Sequence, residues 1–214
     1  MPRVELRIGA LDLDADEVAT LAALLDDAER DRAARFRFDR DRRRFVVRRA
    51  RLRLWLGDLM AQAPGRVQFT TNAYGKPQVI DGPRFSLSHS RELMLLATSD
   101  TEIGCDVEAI DDALDWRPLA DSLFAPAERA ALAALPAPDA RRGFFDCWAR
   151  KEAFVKAIGQ GLSYPLTDFT VSVGAEAALA APEPGWSIAA VEVAPGYAAA
   201  VVARGGAVTI VRPA

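Results

Sequence analysis

Apolar and polar positions alternate at Val4, Leu6 and Ile8, the pattern of a half-buried strand, and Glu17 to Arg30 then places Val18, Leu21, Leu24 and Leu25 on one helical face. A longer helix follows from about Arg40 to Met60, with Phe45, Leu52, Leu56 and Leu59 in one narrow sector of the wheel. Short strands are predicted at Val67–Thr70, Phe85–Leu87 and Leu93–Thr98, separated by turn chemistry at Asn72, Gly75-Lys76-Pro77 and Asp81-Gly82-Pro83. The second half repeats this plan loosely. A strand at Ile103–Glu108 leads to helices around Trp116–Phe124, Pro126–Leu135 and Arg141–Ile158, then strands near Phe169–Val173, Ser187–Val193 and Ala198–Ala203. Helices followed by strands, twice over, predict an α+β protein of two similar halves, 1–102 and 103–214.

Half of the 214 residues are hydrophobic, enough for a substantial core and against disorder. Apolar stretches break well before the roughly 18 residues of a membrane span, and the first residues lack the pattern of a secretory signal, so the expected location is cytoplasmic, with no membrane partner. Two cysteines, Cys105 and Cys147, without metal-type spacing, read as buried thiols.

Charge changes the picture. The chain is −3 overall, yet residues 30–53 hold twelve arginines against three acidic residues, a local +9. One concentrated basic segment in an acidic chain suits a local anionic ligand; a merely solvated arginine helix accounts for the same run. Arg49 lies only about 40° from Phe45 on the wheel, and Arg42 just beyond, so both flank the core face and are better placed than Arg43 or Arg44 to reach a bound anion at a cleft. A nucleic-acid module would need aromatics free to stack among these arginines; Phe36, Phe38 and Phe45 are there, but Phe45 is committed to the core, and this reading ranks below the others.

Rarity marks the chemical candidates. The single histidine, His89, lies in Phe85-Ser-Leu-Ser-His-Ser90, and the three lysines are Lys76, Lys151 and Lys156 in a chain that otherwise uses arginine. Lysine is a compact point charge, so these are positions where arginine would serve less well; a lone histidine, equally, is often structural. On the strand Ile103–Glu108, Asp106 and Glu108 point to one face and Ile103, Cys105 and Val107 to the other. Two neighbouring carboxylates call for a basic partner or a hard cation such as Mg²⁺, unless the strand face is simply solvated. In the helix Arg141–Ile158, Lys151 falls inside the apolar sector and Glu152 at its edge. Glu152 and Lys156 are either an ordinary i,i+4 salt bridge worth about 0.2–0.5 kcal/mol or a general base and a phosphate-facing cation on successive turns.

Taken in order, Tyr-Gly-Lys-Pro at 74–77, the His89 segment, Gly-Cys-Asp-Val-Glu at 104–108, Trp-Ala-Arg-Lys-Glu-Ala-Phe-Val-Lys at 148–156 and Gly-Gln-Gly-Leu-Ser-Tyr-Pro-Leu at 159–166 resemble the 4′-phosphopantetheinyl transferase superfamily, in its surfactin-type branch. The resemblance implies a monomer of two α+β halves related by a pseudo-two-fold, with the active site in the cleft between them and coenzyme A as co-substrate. It implies Mg²⁺-dependent transfer of 4′-phosphopantetheine to a serine hydroxyl of an apo acyl or peptidyl carrier protein, with release of 3′,5′-ADP. By position, Arg42, Arg49, Lys76, Ser88 and His89 match contacts to the coenzyme, and Asp106, Glu108 and Glu152 match the metal carboxylates. Glu152 and Lys156 match the catalytic pair, and Glu128 matches a further acidic position. Ser86, Ala125 and Glu29 depart from the family pattern, Glu29 standing where some members have a basic phosphate contact. A non-catalytic relative that binds coenzyme A or carrier protein is the alternative, and it would be expected to lack the carboxylates or the lysine–glutamate pair that this chain retains.

Overall fold

The computed structural model describes residues 1–181 and 184–213. The chain runs β1 (Arg3–Ala10), α1 (Ala15–Ala22), α2 (Asp27–Ala34), α3 (Asp39–Leu59), β2 (Phe69–Thr71), β3 (Pro77–Val79), β4 (Arg84–Ser90), β5 (Leu93–Ser99) and β6 (Ile103–Ala109). It continues with α4 (Arg117–Leu123), α5 (Pro126–Ala133), α6 (Ala137–Ile158), β7 (Thr170–Val171), β8 (Leu179–Ala180), β9 (Trp186–Ala190), β10 (Tyr197–Arg204) and β11 (Thr209–Val211). Among the described residues, no helix is long and apolar enough to cross a membrane.

The single helix predicted over Glu17–Arg30 is two. Asp14 accepts from Glu17 N at 2.8 Å while Glu17 accepts from Asp14 N, and the same reciprocal pair recurs at Asp26 and Glu29. Each capping box starts its own helix, so Asp26 ends the first run by beginning the second. The predicted strand Val67–Thr70 is instead one arm of a small hairpin, β2 paired with β3, whose three-residue arms are too short to show alternation. Likewise only Thr170–Val171 of the predicted strand at 169–173 forms a paired strand, against β8.

Two larger sheets organise the molecule, ordered β11-β1-β5-β4 and β6-β10-β9. Each carries one long helix. Leu52 and Leu56 of α3 pack on Phe85 and Leu96, while Phe154 and Ala157 of α6 pack with Ala198, Ala200 and Val202 of β10. Alternate residues of β10, such as Ala199 and Val201, join Val4, Leu6 and Leu95 of the first sheet in a core that both sheets share. The last strand, β11, returns to pair in parallel with β1, a crossing that the division at 102/103 does not include.

Between the sheets, β4 lies beside β6 and is joined to it through side chains. Ser86, Ser88 and Ser90 share a face of β4. Ser86 Oγ accepts from Cys105 N and Ser90 Oγ from Ala109 N, both at 3.0 Å, and Ser88 Oγ donates to Asp106 Oδ1 at 2.7 Å. Serine hydroxyls thus occupy the role a backbone ladder would have, and Ser86 has a structural use in this chain. Burial raises the Cys105 thiol to about 11, and Cys147 is raised as well, so both are inert.

Candidate active site

The seam between the sheets carries the chemistry because α6 lies tightly on β6. A Cβ at Gly104 would collide with the carbonyl of Ala153 and the amide nitrogen of Ala157, so only glycine permits this approach. Trp148, Glu152 and Lys156, four residues apart, form one stripe of α6 running along β6 in the opposite direction. Trp148 Nε1 donates to Glu108 Oε1 at 3.3 Å, and Lys156 Nζ donates to Asp106 Oδ1 at 2.5 Å and to Ser88 Oγ at 3.0 Å. Residues 50 positions apart therefore meet.

Asp106 is 2% exposed, and among the described residues its second oxygen, Oδ2, is buried without a hydrogen-bond partner. A desolvated carboxylate oxygen left unpaired is costly unless something binds it. Glu108, held by Ser90 Oγ at 3.0 Å and by Trp148, is pushed up to about 7, first by burial and then by Asp106. Burial and Asp106 also raise the Glu152 carboxyl. Burial pulls the Lys156 ammonium down, but Asp106, hydrogen-bonded to it, and Glu152 hold it above the ordinary lysine value. Three crowded carboxyl groups against one ammonium make a locus short of positive charge. Among the described residues, no three His, Cys, Asp or Glu side chains form a ready-made metal group. Mg²⁺ typically takes one or two carboxylates and completes its shell with water and phosphate oxygens, and the unpartnered charge on Asp106 Oδ2 suits such a hard cation.

Beside this seam opens a cleft of about 1050 Å³ lined by Arg32, Arg48, Arg49, Thr70, Thr71 and His89 among others. It is slightly above the roughly 300–1,000 Å³ usual for small-molecule sites. Burial, with Arg32 and Arg49 nearby, pushes the Arg48 guanidinium down to about 10. Among the described residues no carboxylate pairs with it; it lies over the Phe45 ring at 5.7 Å. Burial and Arg48 together push His89 down to about 4, so its imidazole is neutral at pH 7. An unpaired guanidinium, a second arginine and a neutral imidazole on one wall make a receptor for phosphate.

The predicted residues divide. His89 and Arg49 line the cleft, although Arg49 also pairs with Glu29 at 2.5 Å and stacks on Phe69 at 4.2 Å. Arg42 does not line it: the half-exposed guanidinium pairs with Asp39 at 2.5 Å, one turn back on the solvent side. Ser88 is buried between Asp106 and Lys156, and Lys76 donates to the carbonyls of Ile103 at 2.9 Å and Ala157 at 3.2 Å, so in this structure both are engaged with protein groups. Glu29 is buried, caps α2 and braces Arg49 and Arg53. Glu128 accepts from buried Lys151 at 2.6 Å, from Val171 N at 2.8 Å and from Ala125 N at 2.7 Å; the last contact supplies half a capping box where Ala125 has no hydroxyl. Sequence reasoning passed over Arg32 and Arg48. Arg48 sits three residues after Phe45, about 60° away on the side of the wheel opposite Arg49, so the same flanking argument reaches it.

Residues 102–202 match the family described as the 4′-phosphopantetheinyl transferase superfamily, and residues 14–101 match one described as 4′-phosphopantetheinyl transferase, N-terminal. The chain is 39% identical over 159 residues to 4′-phosphopantetheinyl transferase HetI of Nostoc sp., covering 72% of this chain and 67% of that one. It is 30% identical over 177 residues to 4′-phosphopantetheinyl transferase Sfp of Bacillus subtilis, covering 75% and 78%. Among solved structures, holo-[acyl-carrier-protein] synthase of Thermotoga maritima overlaps 49% of this chain and 63% of its own, at 21% identity and a TM-score of 0.40.

Proposed function

This chain belongs to the 4′-phosphopantetheinyl transferase superfamily, and we propose that it moves 4′-phosphopantetheine from coenzyme A to a serine hydroxyl of an apo acyl or peptidyl carrier protein. The observation that carries this reading is Asp106: one oxygen is held by Lys156 and Ser88, and the other is buried without a partner among the described residues, beside an arginine-lined cleft.

The basic wall of the cleft, Arg32, Arg48, Arg49 and His89, receives the phosphates of the nucleotide end, and the diphosphate reaches the seam at Lys156. The carrier serine oxygen attacks the β-phosphorus. A new P–O bond forms there as the bond to the bridging oxygen breaks, and 3′,5′-ADP departs with that electron pair. Glu152, whose carboxyl is raised by burial and by Asp106, takes the serine proton as the bond forms. Lys156, kept protonated by its carboxylate neighbours, opposes charge on the departing diphosphate oxygen. Asp106, Glu108 and Glu152 would hold Mg²⁺, which when bound supplies further neutralisation of the diphosphate. Trp148 and Ser90 fix the Glu108 carboxylate by hydrogen bonds to both of its oxygens.

Chromatography of a reaction containing coenzyme A, Mg²⁺ and apo carrier tests this reading: 3′,5′-ADP should appear as coenzyme A disappears, and only with carrier present. Consumption of coenzyme A without 3′,5′-ADP, or without need of a carrier, would contradict it. The non-catalytic alternative predicts stable binding with no product.

A further inference from the structure

Lys76 and Asn72 both reach the end of α6. The last carbonyls of a helix have no intrahelical donors, and its C-terminal end favours positive charge. At the end of α6, one of those carbonyls and the carbonyl of the capping Gly159 are satisfied from a hairpin more than 80 residues away in sequence. Asn72 Nδ2 donates to Gly159 O at 2.8 Å, and Lys76 Nζ donates to Ala157 O at 3.2 Å. The same Nζ donates to Ile103 O at 2.9 Å, at the first residue of β6, with Glu102 at 3.7 Å. One ammonium therefore ties the residue after Lys156 to the strand position three before Asp106.

The loop that presents these groups is itself braced. Asn72 Oδ1 accepts from Tyr74 N and Lys76 N, both at 2.9 Å, and Asn72 N donates to Lys76 O at 3.0 Å. Gly75 and Gly159 have φ of 86° and 72°, the left-handed conformation that each turn needs, and a Cβ on Gly159 would press on Asn72 and Lys76. Other residues of this hairpin, Thr71, Gly75 and Pro77, line the arginine-walled cleft.

We infer that Asn72 and Lys76 are positioning residues: a latch by which the hairpin wall of the cleft sets where Lys156 and Asp106 stand relative to each other. This rests on the transferase reading for its link to rate, while the latch itself is a statement about the end of α6. Lysine suits the position because a point charge can sit between two carbonyls of different elements.

Asn72→Ala and Lys76→Met test the latch, with Lys76→Gln as a milder variant that keeps a donor. In each, hydrogen exchange of residues 156–160 without ligand should speed up while α3 exchanges as in the parent. The coenzyme A dissociation constant should stay within about twofold, while kcat at saturating coenzyme, per folded protein, should fall by about tenfold or more. The double variant Asn72→Ala/Lys76→Met should lose little more than the worse single one. Unchanged exchange at the end of α6 would overturn the latch. So would a tenfold weaker coenzyme affinity with kcat intact, which is the signature of Lys76 as a phosphate ligand. A parent protein that leaves carrier unmodified would instead overturn the transferase reading, and the exchange result would stand apart from it.

Discussion

At the scale of single residues, the cleft and the seam ask for opposite charges. The cleft has a guanidinium in excess at Arg48, and the seam has carboxylates in excess around Lys156. Arg48→Met should therefore weaken coenzyme A binding by tenfold or more, the loss of about 1.5–3 kcal/mol usual for a charged hydrogen bond, whereas Arg42→Met should change it less than twofold. Isothermal titration of both variants checks this; equal losses would mean that charge near the cleft matters and position does not. His89 offers a second reading of the same wall, because it is the chain's only histidine and its ring resonances are directly assignable. Free protein should titrate near 4, where burial and Arg48 hold the imidazole neutral. A bound phosphate favours the imidazolium, so coenzyme A should move the midpoint upward, and binding should take up protons between the free and bound midpoints. An unmoved midpoint would remove His89 from the phosphate contacts.

At the scale of elements, β6 and α6 were the most legible parts of the sequence. The alternation of Ile103, Cys105 and Val107 with Asp106 and Glu108 is the alternation in the structure, and Lys151 in the apolar sector of α6 finds the buried partner its position demanded. Lys151→Met leaves Glu128 buried without its cation and should cost about 3–5 kcal/mol in denaturant unfolding, since breaking a buried pair strands a charge. A loss below about 1 kcal/mol would mean that Val171 N and Ala125 N suffice for Glu128. Gly104→Ala should destabilise by at least the about 1–3 kcal/mol of an overpacked core and suppress transfer, because the colliding atoms are backbone and must move α6 as a whole. Wild-type transfer by a stably folded Gly104→Ala protein would show that the α6–β6 spacing is not what the site depends on. What the sequence hid has physical causes. The split of α1 from α2 was signalled by Asp-x-x-Glu at positions 14–17 and 26–29, but an unbroken apolar face masked it. Lys76 could not be placed, because its acceptors are main-chain carbonyls that every sequence possesses.

At the scale of the whole molecule, two sheets share a core and meet at β4 and β6 through serine side chains, with the cleft alongside. The resemblance of the ordered motifs to a family could place Asp106, Glu108, Glu152 and Lys156 at one locus; only the fold shows the seam that brings Asp106 and Lys156 into contact, and the return of β11 to β1 lay beyond any pattern in three residues. Intact-mass spectrometry of an apo carrier protein incubated with coenzyme A and Mg²⁺ tests the chemistry at that seam directly, with Glu152→Gln beside the parent. The prediction is a carrier heavier by one phosphopantetheine with the parent enzyme and, in the same time, almost none with Glu152→Gln, a deficit of about 10²-fold or more from loss of the base. A carrier of unchanged mass with folded parent protein, or equal modification by both proteins, would contradict it.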